Sequence, residues 1–352
     1  MHMADALLSP PVAAAMYAAS GAAACACVKV LRKDENTVKL PAMAVTSALV
    51  FAGQMVNYAI PGTGSSGHLC GGMMLSALLG PQAGFLSMTV ILTIQCLFFA
   101  DGGLLALGAN CWNMAFYGCF AGYYLLWRPI MRGRWFSRLE ESRSARLKII
   151  LASVLGCVLT LQLGALSVVL ETTLSGVTEL PLAAFAGVMQ PIHLAIGLVE
   201  GGITAAVLLF VHEARPQLLM EGETSSSRSR CSPRAALTVL AVTALVVGGG
   251  MSLAASSAPD GLEWSLFGSD RGANMGLDEE NYGIPSAAAA AAEAIQEKTA
   301  LLPDYAFPDS ESPVGTSVSG MAGSVVVAAA AAGICLTGGF FRRKKAGKSD
   351  EM

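Results

Sequence analysis

The chain opens Met1-His2-Met3. A free α-amine on Met1, the amide nitrogen of His2 and Nδ1 of its imidazole can close fused chelate rings around a single metal ion. Three nitrogens in one plane suit Ni(II) or Cu(II), whereas a tetrahedral nitrogen and sulfur set would point to zinc. Chain termini are usually frayed and uninformative, and what gives His2 weight is a second isolated histidine. His68 lies in Gly62-Thr63-Gly64-Ser65-Ser66-Gly67-His68-Leu69-Cys70-Gly71-Gly72. Glycines let the backbone dip and approach closely, and irregular backbone at membrane depth is tolerated only where it is buried in protein or lines a cavity. Taken alone, His68 reads as a loop histidine bonded to a carbonyl; taken with His2 it completes a plane of four nitrogens.

Other polar residues stand out against apolar surroundings. Asp101, in Phe99-Ala100-Asp101-Gly102-Gly103, is either a turn residue closing a helix or a carboxylate that orients a ligating imidazole. Gln95, Asn110, Asn113 and Gln162 are more often hydrogen-bonding glue between helices than ligands. His193 and Glu200 share one helical face; they could line a pore, and packing is the favoured reading. His212 is incidental. Nine cysteines lie mostly inside apolar runs without a CxxC pair, so they read as small packing residues, with neither a disulfide framework nor a zinc knot. No GxxxxGK[ST] loop is present, so energy from ATP must come from another chain. HExxH is also missing, and the planar nitrogen set has no evident general base beside it, which disfavours a membrane enzyme using its metal catalytically. A structural or sensory membrane subunit, in which His2 and His68 never meet, is the other rival.

The elements that must carry these residues follow from composition. Of 352 residues 54% are hydrophobic and 13% charged, a balance that makes the bilayer the expected solvent. A net charge of −3 implies no nucleic-acid partner. Runs long enough to cross about 30 Å of hydrocarbon as helices fall at 12–31, 41–60, 82–100, 104–127, 147–170, 183–212, 235–255 and 321–341, with a shorter apolar piece at 69–80. Basic residues cluster after the first span (Lys29, Arg32, Lys33, Lys39), after the 104–127 span (Arg128 to Lys148), between 212 and 235 (Arg215, Arg228, Arg230, Arg234) and at the end (Arg342 to Lys348). By the positive-inside rule these four clusters are cytoplasmic, which requires 69–80 to cross as well. The expected fold is therefore an all-α integral membrane protein with nine transmembrane helices, N-terminus outside and C-terminus inside.

Seven spans form a first domain over 1–213, a cytoplasmic linker occupies 214–234 with its Ser/Arg-rich part at 223–234, and a two-span hairpin follows over 235–345. That hairpin carries an extracytoplasmic loop at 256–320, within which Ser286 to Glu297 reads as a short helix and 303–319 as extended or disordered. The N-terminus lacks the basic region of a signal peptide, so Met1 is expected to be kept.

Met1-His2-Met3 with Ser9-Pro10-Pro11, Ser66-Gly67-His68-Leu69 with Gly71-Gly72, Ala100-Asp101-Gly102-Gly103-Leu104 through Leu107-Gly108-Ala109-Asn110, and His193 through Glu200-Gly201 resemble the CbiM/NikM family, the substrate-binding components of nickel and cobalt energy-coupling-factor transporters. Pro259-Asp260-Gly261-Leu262-Glu263-Trp264 resembles the PDGLE motif of the family's small accessory subunit, and a fusion of the two accounts for the linker. The resemblance implies a metal held by Met1, His2 and His68, with Ser66, Asp101, Asn110, His193 and Glu200 as candidates to support or gate those ligands and the His68 loop as a lid. It further implies Ni(II) or Co(II) as transported substrate and no nucleotide on this chain. The implied partners are a transmembrane coupling subunit and a pair of P-loop ATPase subunits in the cell membrane. Asp5 and the patterns around His68 and Asp101 are similar to nickel-type members. Ala4 and Ala6 depart from the Pro and Gly more usual beside Asp5, which leaves Co(II), for cobalamin synthesis, as the alternative substrate.

Overall fold

Where lipid offers no hydrogen bonds the backbone must satisfy its own, so the long apolar runs become helices. The computed structural model describes residues 1–33, 39–134, 136, 139–177, 181–221, 232–268, 286–307, 312 and 314–349. Most of the Ser/Arg-rich linker, together with Arg138, Arg228, Arg230, Cys231 and Arg271, lies outside the described residues.

Helix α1 (Pro10–Leu31) starts with two prolines in its first turn, where the amides have no helical partner in any case. Helix α2 (Lys39–Gln54) ends sooner than its apolar run suggests. Strands β1 (Tyr58–Ile60) and β2 (Ser65–Gly67) follow as an antiparallel hairpin with Tyr58 opposite Gly67 and Ile60 opposite Ser65. This corrects the expected helix through residue 60 and adds one small sheet to the all-α class. Pro61 supplies the reason, because it disfavours helical backbone in the residue before it and cannot continue the amide ladder.

Helix α3 (Gly72–Leu79) is buried at every position. Its eight residues span about 12 Å, so by its own length it does not traverse a bilayer. The chain turns at Gly80 into α4 (Pro81–Phe99). Helix α5 (Leu107–Asn110), a run of π-helical winding (Cys111–Trp127) and α6 (Arg128–Arg132) make one rod, and α7 (Glu141–Ser175) packs along α8 (Leu182–Ala214). Beyond the linker come α9 (Pro233–Gly249), α10 (Gly261–Phe267), α11 (Ala287–Thr299) and α12 (Val314–Ser349).

Among the described residues six helical stretches are long and apolar enough to cross a membrane: Pro10–Leu31, Pro81–Phe99, Glu141–Ser175, Leu182–Ala214, Pro233–Ala254 and Val314–Gly333. Leu155, Leu166, Leu174, Leu194, Leu198 and Val246 point outward from them, an apolar surface far larger than water tolerates and the one lipid covers. The chain is thus a multi-pass helical membrane protein.

The accessory hairpin does not stand apart from the first bundle. Helices α9 and α12 pack on each other and along α2, and the segment joining them lies across the end of the bundle that holds the N-terminus. There the Ser256 amide donates to the Asn57 carbonyl at 2.8 Å and the Leu301 amide to the Phe98 carbonyl at 2.9 Å. The Ala-rich stretch forms α11 as expected, capped by Ser286. The expectation of extended chain over 303–319 is corrected at both ends: Pro303–Tyr305 is a 3-10 turn, and α12 already runs from Val314. The bundle supplies the reason, since Tyr305 stacks on Phe99 with ring centroids 4.7 Å apart.

Two apolar cores result. The larger joins α2, α3, α4, the π-helical run and α7. The smaller gathers Met3, Leu7 and Leu8 from the terminus, Ala106, Val168, Phe185 and Met189 from the bundle, and Leu262 and Leu266 from α10. Of Cys25, Cys27, Cys70, Cys96, Cys111, Cys119 and Cys157 only Cys25 is exposed, and these seven are free thiols, in keeping with a packing role.

Candidate metal centre

The N-terminus is threaded into the bundle. Met3 is fully buried and Met1 only 5% exposed, and the Asn110 side chain holds Met3 as a strand partner would. The Met3 amide donates to Asn110 Oδ1 at 2.8 Å, while Asn110 Nδ2 donates to the Met3 carbonyl at 3.2 Å. The Gly103 amide donates to that same carbonyl at 2.8 Å. Asp5 Oδ1 accepts from the Ala106 amide at 3.0 Å, and burial raises its carboxyl above the ordinary value despite the amides that face it. Gly103 is obligatory here, because a Cβ on it would sit 1.8 Å from Asp5 Oδ1. The patterns Ala100-Asp101-Gly102-Gly103 and Gly108-Ala109-Asn110 are therefore the clamp that fixes residues 1–5.

This clamp brings His2 and His68 together: their rings stack with centroids 5.3 Å apart and planes 21° off parallel. His68 Nδ1 faces the Leu69 carbonyl at 3.1 Å, which leaves Nε2 as the lone-pair nitrogen. Burial, reinforced by the terminal ammonium and the His2 ring, lowers the His68 pKa to about 4, so the imidazole is neutral at pH 7. His2 is bracketed, with Asp101 Oδ1 at 3.2 Å from Nδ1 and Gln95 Oε1 at 3.3 Å from Nε2. Asp101 is in turn hydrogen-bonded by the Tyr305 hydroxyl. Chelation through Nδ1 therefore requires His2 to exchange its contact with Asp101.

A polar relay backs the two rings. Gln95 Nε2 donates to Gln54 Oε1 at 2.9 Å, and Gln54 Nε2 donates to the Cys70 carbonyl at 2.8 Å. Glu200 accepts the Cys70 and Gly71 amides at 2.8 and 2.9 Å, so a carboxyl on α8 anchors the chain just after His68. Ser66 is tied to the accessory segment: its amide donates to the Pro259 carbonyl and its hydroxyl to the Ala258 carbonyl, at 2.8 and 2.7 Å.

Met1 nitrogen donates to Asp260 Oδ2 at 2.7 Å. Burial opposes charge on Asp260, but the ammonium beside it holds its carboxyl well below the usual carboxylate range. His193 Nδ1 contacts the Met189 carbonyl at 2.8 Å, and its buried Nε2 has no hydrogen-bond partner among the described residues. A Cβ on Gly261 would come within 3.1 Å of the His193 ring. Met1, His68, His193, Asp260 and Gly261 line one small cavity, and a wider vestibule beside it is edged by His2, Asp101, Asp260, Glu293 and Asp304.

Of the candidates read from the sequence, Met1, His2, His68, Asp101, Asn110, Ser66, His193 and Glu200 all converge on this end of the bundle. Asn113 bonds Glu171 between helices while its Nδ2 also faces the Met3 sulfur at 3.7 Å, behind the clamp, and Gln162 bonds the Gln190 carbonyl between helices. His212 lies at the end of α8. Sequence reasoning missed Gln54, Tyr305 and the partner of Asp260, and it placed Gln95 with the interhelical glue. Only the PDGLE motif signalled Asp260, as a resemblance without a role. No three His, Cys, Asp or Glu side chains among the described residues converge as a metal site, so the histidine pair needs nitrogens from the backbone to complete a ligand set.

Residues 2–218 match the family model for the cobalt uptake substrate-specific transmembrane region, and residues 234–338 match the PDGLE domain. A putative fused nickel transport protein of Archaeoglobus fulgidus is 33% identical over 329 residues, which cover 94% of this chain and 96% of that protein. A fused nickel transport protein of Rhodobacter capsulatus is 32% identical over 370 residues, covering 96% and 97%. A crystal structure of a truncated transition metal transporter matches with a TM-score of 0.50 at 32% identity, covering 60% of this chain and 99% of that one.

Proposed function

Since this chain belongs to the cobalt uptake substrate-specific transmembrane family, fused to a PDGLE domain, we propose that it is the substrate-capturing component of an energy-coupling-factor importer that prefers Ni(II) to Co(II). At the coarser level it is a nickel/cobalt transport component in a membrane and not an enzyme. The ligands are the Met1 amine, the amide and imidazole nitrogens of His2, and His68. Asp101, Asn110, Ser66, His193 and Glu200 hold those ligands in place. The observation that carries this reading is the stacking of His2 on His68, with the Met1 residue lining the same small cavity as His68; the four nitrogens these residues can offer suit a tetragonal ion.

With the N-terminus outside, α3 together with the chain leading into it supplies the short ninth crossing that the basic clusters require, and the site lies on the extracytoplasmic face. The hydrated cation approaches through the vestibule, whose carboxylates raise its local concentration, and exchanges water for nitrogen. A coupling subunit with two P-loop ATPases then drives inward release. The domains divide as 1–213 for capture, 214–234 as cytoplasmic linker and 235–345 as accessory hairpin. The nickel preference rests on the planar nitrogen set and on the two fused nickel relatives.

His68→Ala tests the ligand set. It deletes one of four donors, and nickel affinity of the purified protein should fall by at least about 100-fold, the upper end of what losing a mere supporting partner costs. Titration followed by absorption spectroscopy reads this directly, and unchanged affinity would remove His68 from the site.

A further inference from the structure

We infer that the accessory segment is a working part of the metal site, with Asp260 as the residue that positions the terminal amine. This rests on the capture site proposed above. Pro259 and Asp260 touch that site directly, and the rest of the motif holds them there. The Pro259 carbonyl accepts the Ser66 amide from the His68 loop. Asp260 divides its carboxylate, with Oδ1 accepting the Leu262 and Glu263 amides at 2.8 Å each as the N-cap of α10 and Oδ2 accepting from Met1 nitrogen at 2.7 Å. Gly261 permits the approach to His193, Leu262 enters the small core with Met3 and Leu7, and Glu263 returns a carboxylate to the Asp260 amide to close the capping box. Trp264 Nε1 pins the far side to the Thr63 carbonyl at 3.0 Å.

One short helix start therefore grips the amine ligand and the His68 loop together. An amine that gives its lone pair to a metal ion keeps N–H bonds, so Oδ2 can continue to accept from it and fix its direction. A ligand held by an outer hydrogen-bond partner is oriented in advance, and loss of such a partner typically weakens metal binding by about 10- to 100-fold.

The split carboxylate allows a clean test in the full chain. Asp260→Asn and Asp260→Ser both keep an N-cap oxygen and lose the acceptor for the amine. Glu263→Ala weakens the capping box without touching it. Nickel is titrated into each purified protein, with the absorption bands of bound nickel recorded and Trp264 fluorescence reporting that α10 stays docked. Asp260→Asn and Asp260→Ser should lose about 10- to 100-fold in nickel affinity with shifted bands, and Glu263→Ala should bind as the parent does. Parent-like affinity and bands in both Asp260 variants would overturn the inference while leaving the capture site standing. An equal loss in Glu263→Ala would also overturn it, by tracing the effect to helix docking. If the unaltered protein binds no nickel, the capture site itself fails and this inference fails with it.

Discussion

One extra residue ahead of Met1 is expected to abolish nickel binding at the His2–His68 site, a larger loss than any single side-chain change there. The extension turns the α-amine into an amide and moves His2 to the third position, so the ring pair that includes Met1 nitrogen is lost; the new amine, two amides and the shifted imidazole can chelate nickel only by drawing the terminus out of the bundle and away from His68. Space argues the same way. Met1 is 5% exposed, its nitrogen lies against Asp260, and its methyl sits where a Cβ on Gly164 would come within 2.6 Å, so an added residue must displace α10. The check is a nickel titration of matched proteins with and without the extension, with gel filtration confirming an intact fold. Nickel on the parent should depend on His68 and any nickel left on the extended protein should not; equal affinity with the same dependence on His68 in both would remove the terminus from the ligand set.

Glu200→Ala should be the most damaging point substitution for stability near the site. It orphans the Cys70 and Gly71 amides inside the bundle, and each unsatisfied buried N–H costs about 1–3 kcal/mol. The strand-to-helix turn after His68 then loses its anchor, so nickel affinity falls along with the melting temperature. Glu200→Gln keeps one acceptor oxygen and should lie between. Melting and nickel titration of the three proteins provide the measurement, and parent-like values for Glu200→Ala would show that the turn holds itself.

Much of this arrangement was legible in the sequence because lipid simplifies the code. Long apolar runs must be helices, and an isolated polar residue within them needs a partner, so Asn110, His193 and Glu200 stood out, while His2, His68 and Asp101 did so at the terminus, in a glycine-rich loop and in a turn between runs. Their pairings were not legible, because nothing local says that Asn110 reaches Met3 or that Glu200 reaches two amides about 130 positions away. Gln95 was placed with structural glue, since an amide gives the same signal whether it bridges helices or bonds an imidazole; here its two ends bond His2 and Gln54. Strand β1 was hidden inside an apolar run that Pro61 cuts short, and β2 in the glycine-rich loop that follows. Asp260 was the least legible. Its motif was recognisable, but its contact with residue 1 is tertiary and depends on the accessory hairpin packing along α2.

The central claim is four nitrogen donors in one plane, and X-ray absorption of the nickel-loaded protein tests it most directly. A square-planar edge signature with nitrogen scatterers alone, including imidazole multiple scattering from His2 and His68, is the expected result. A six-coordinate oxygen shell or a sulfur scatterer at nickel would contradict it and place the ion elsewhere in the bundle.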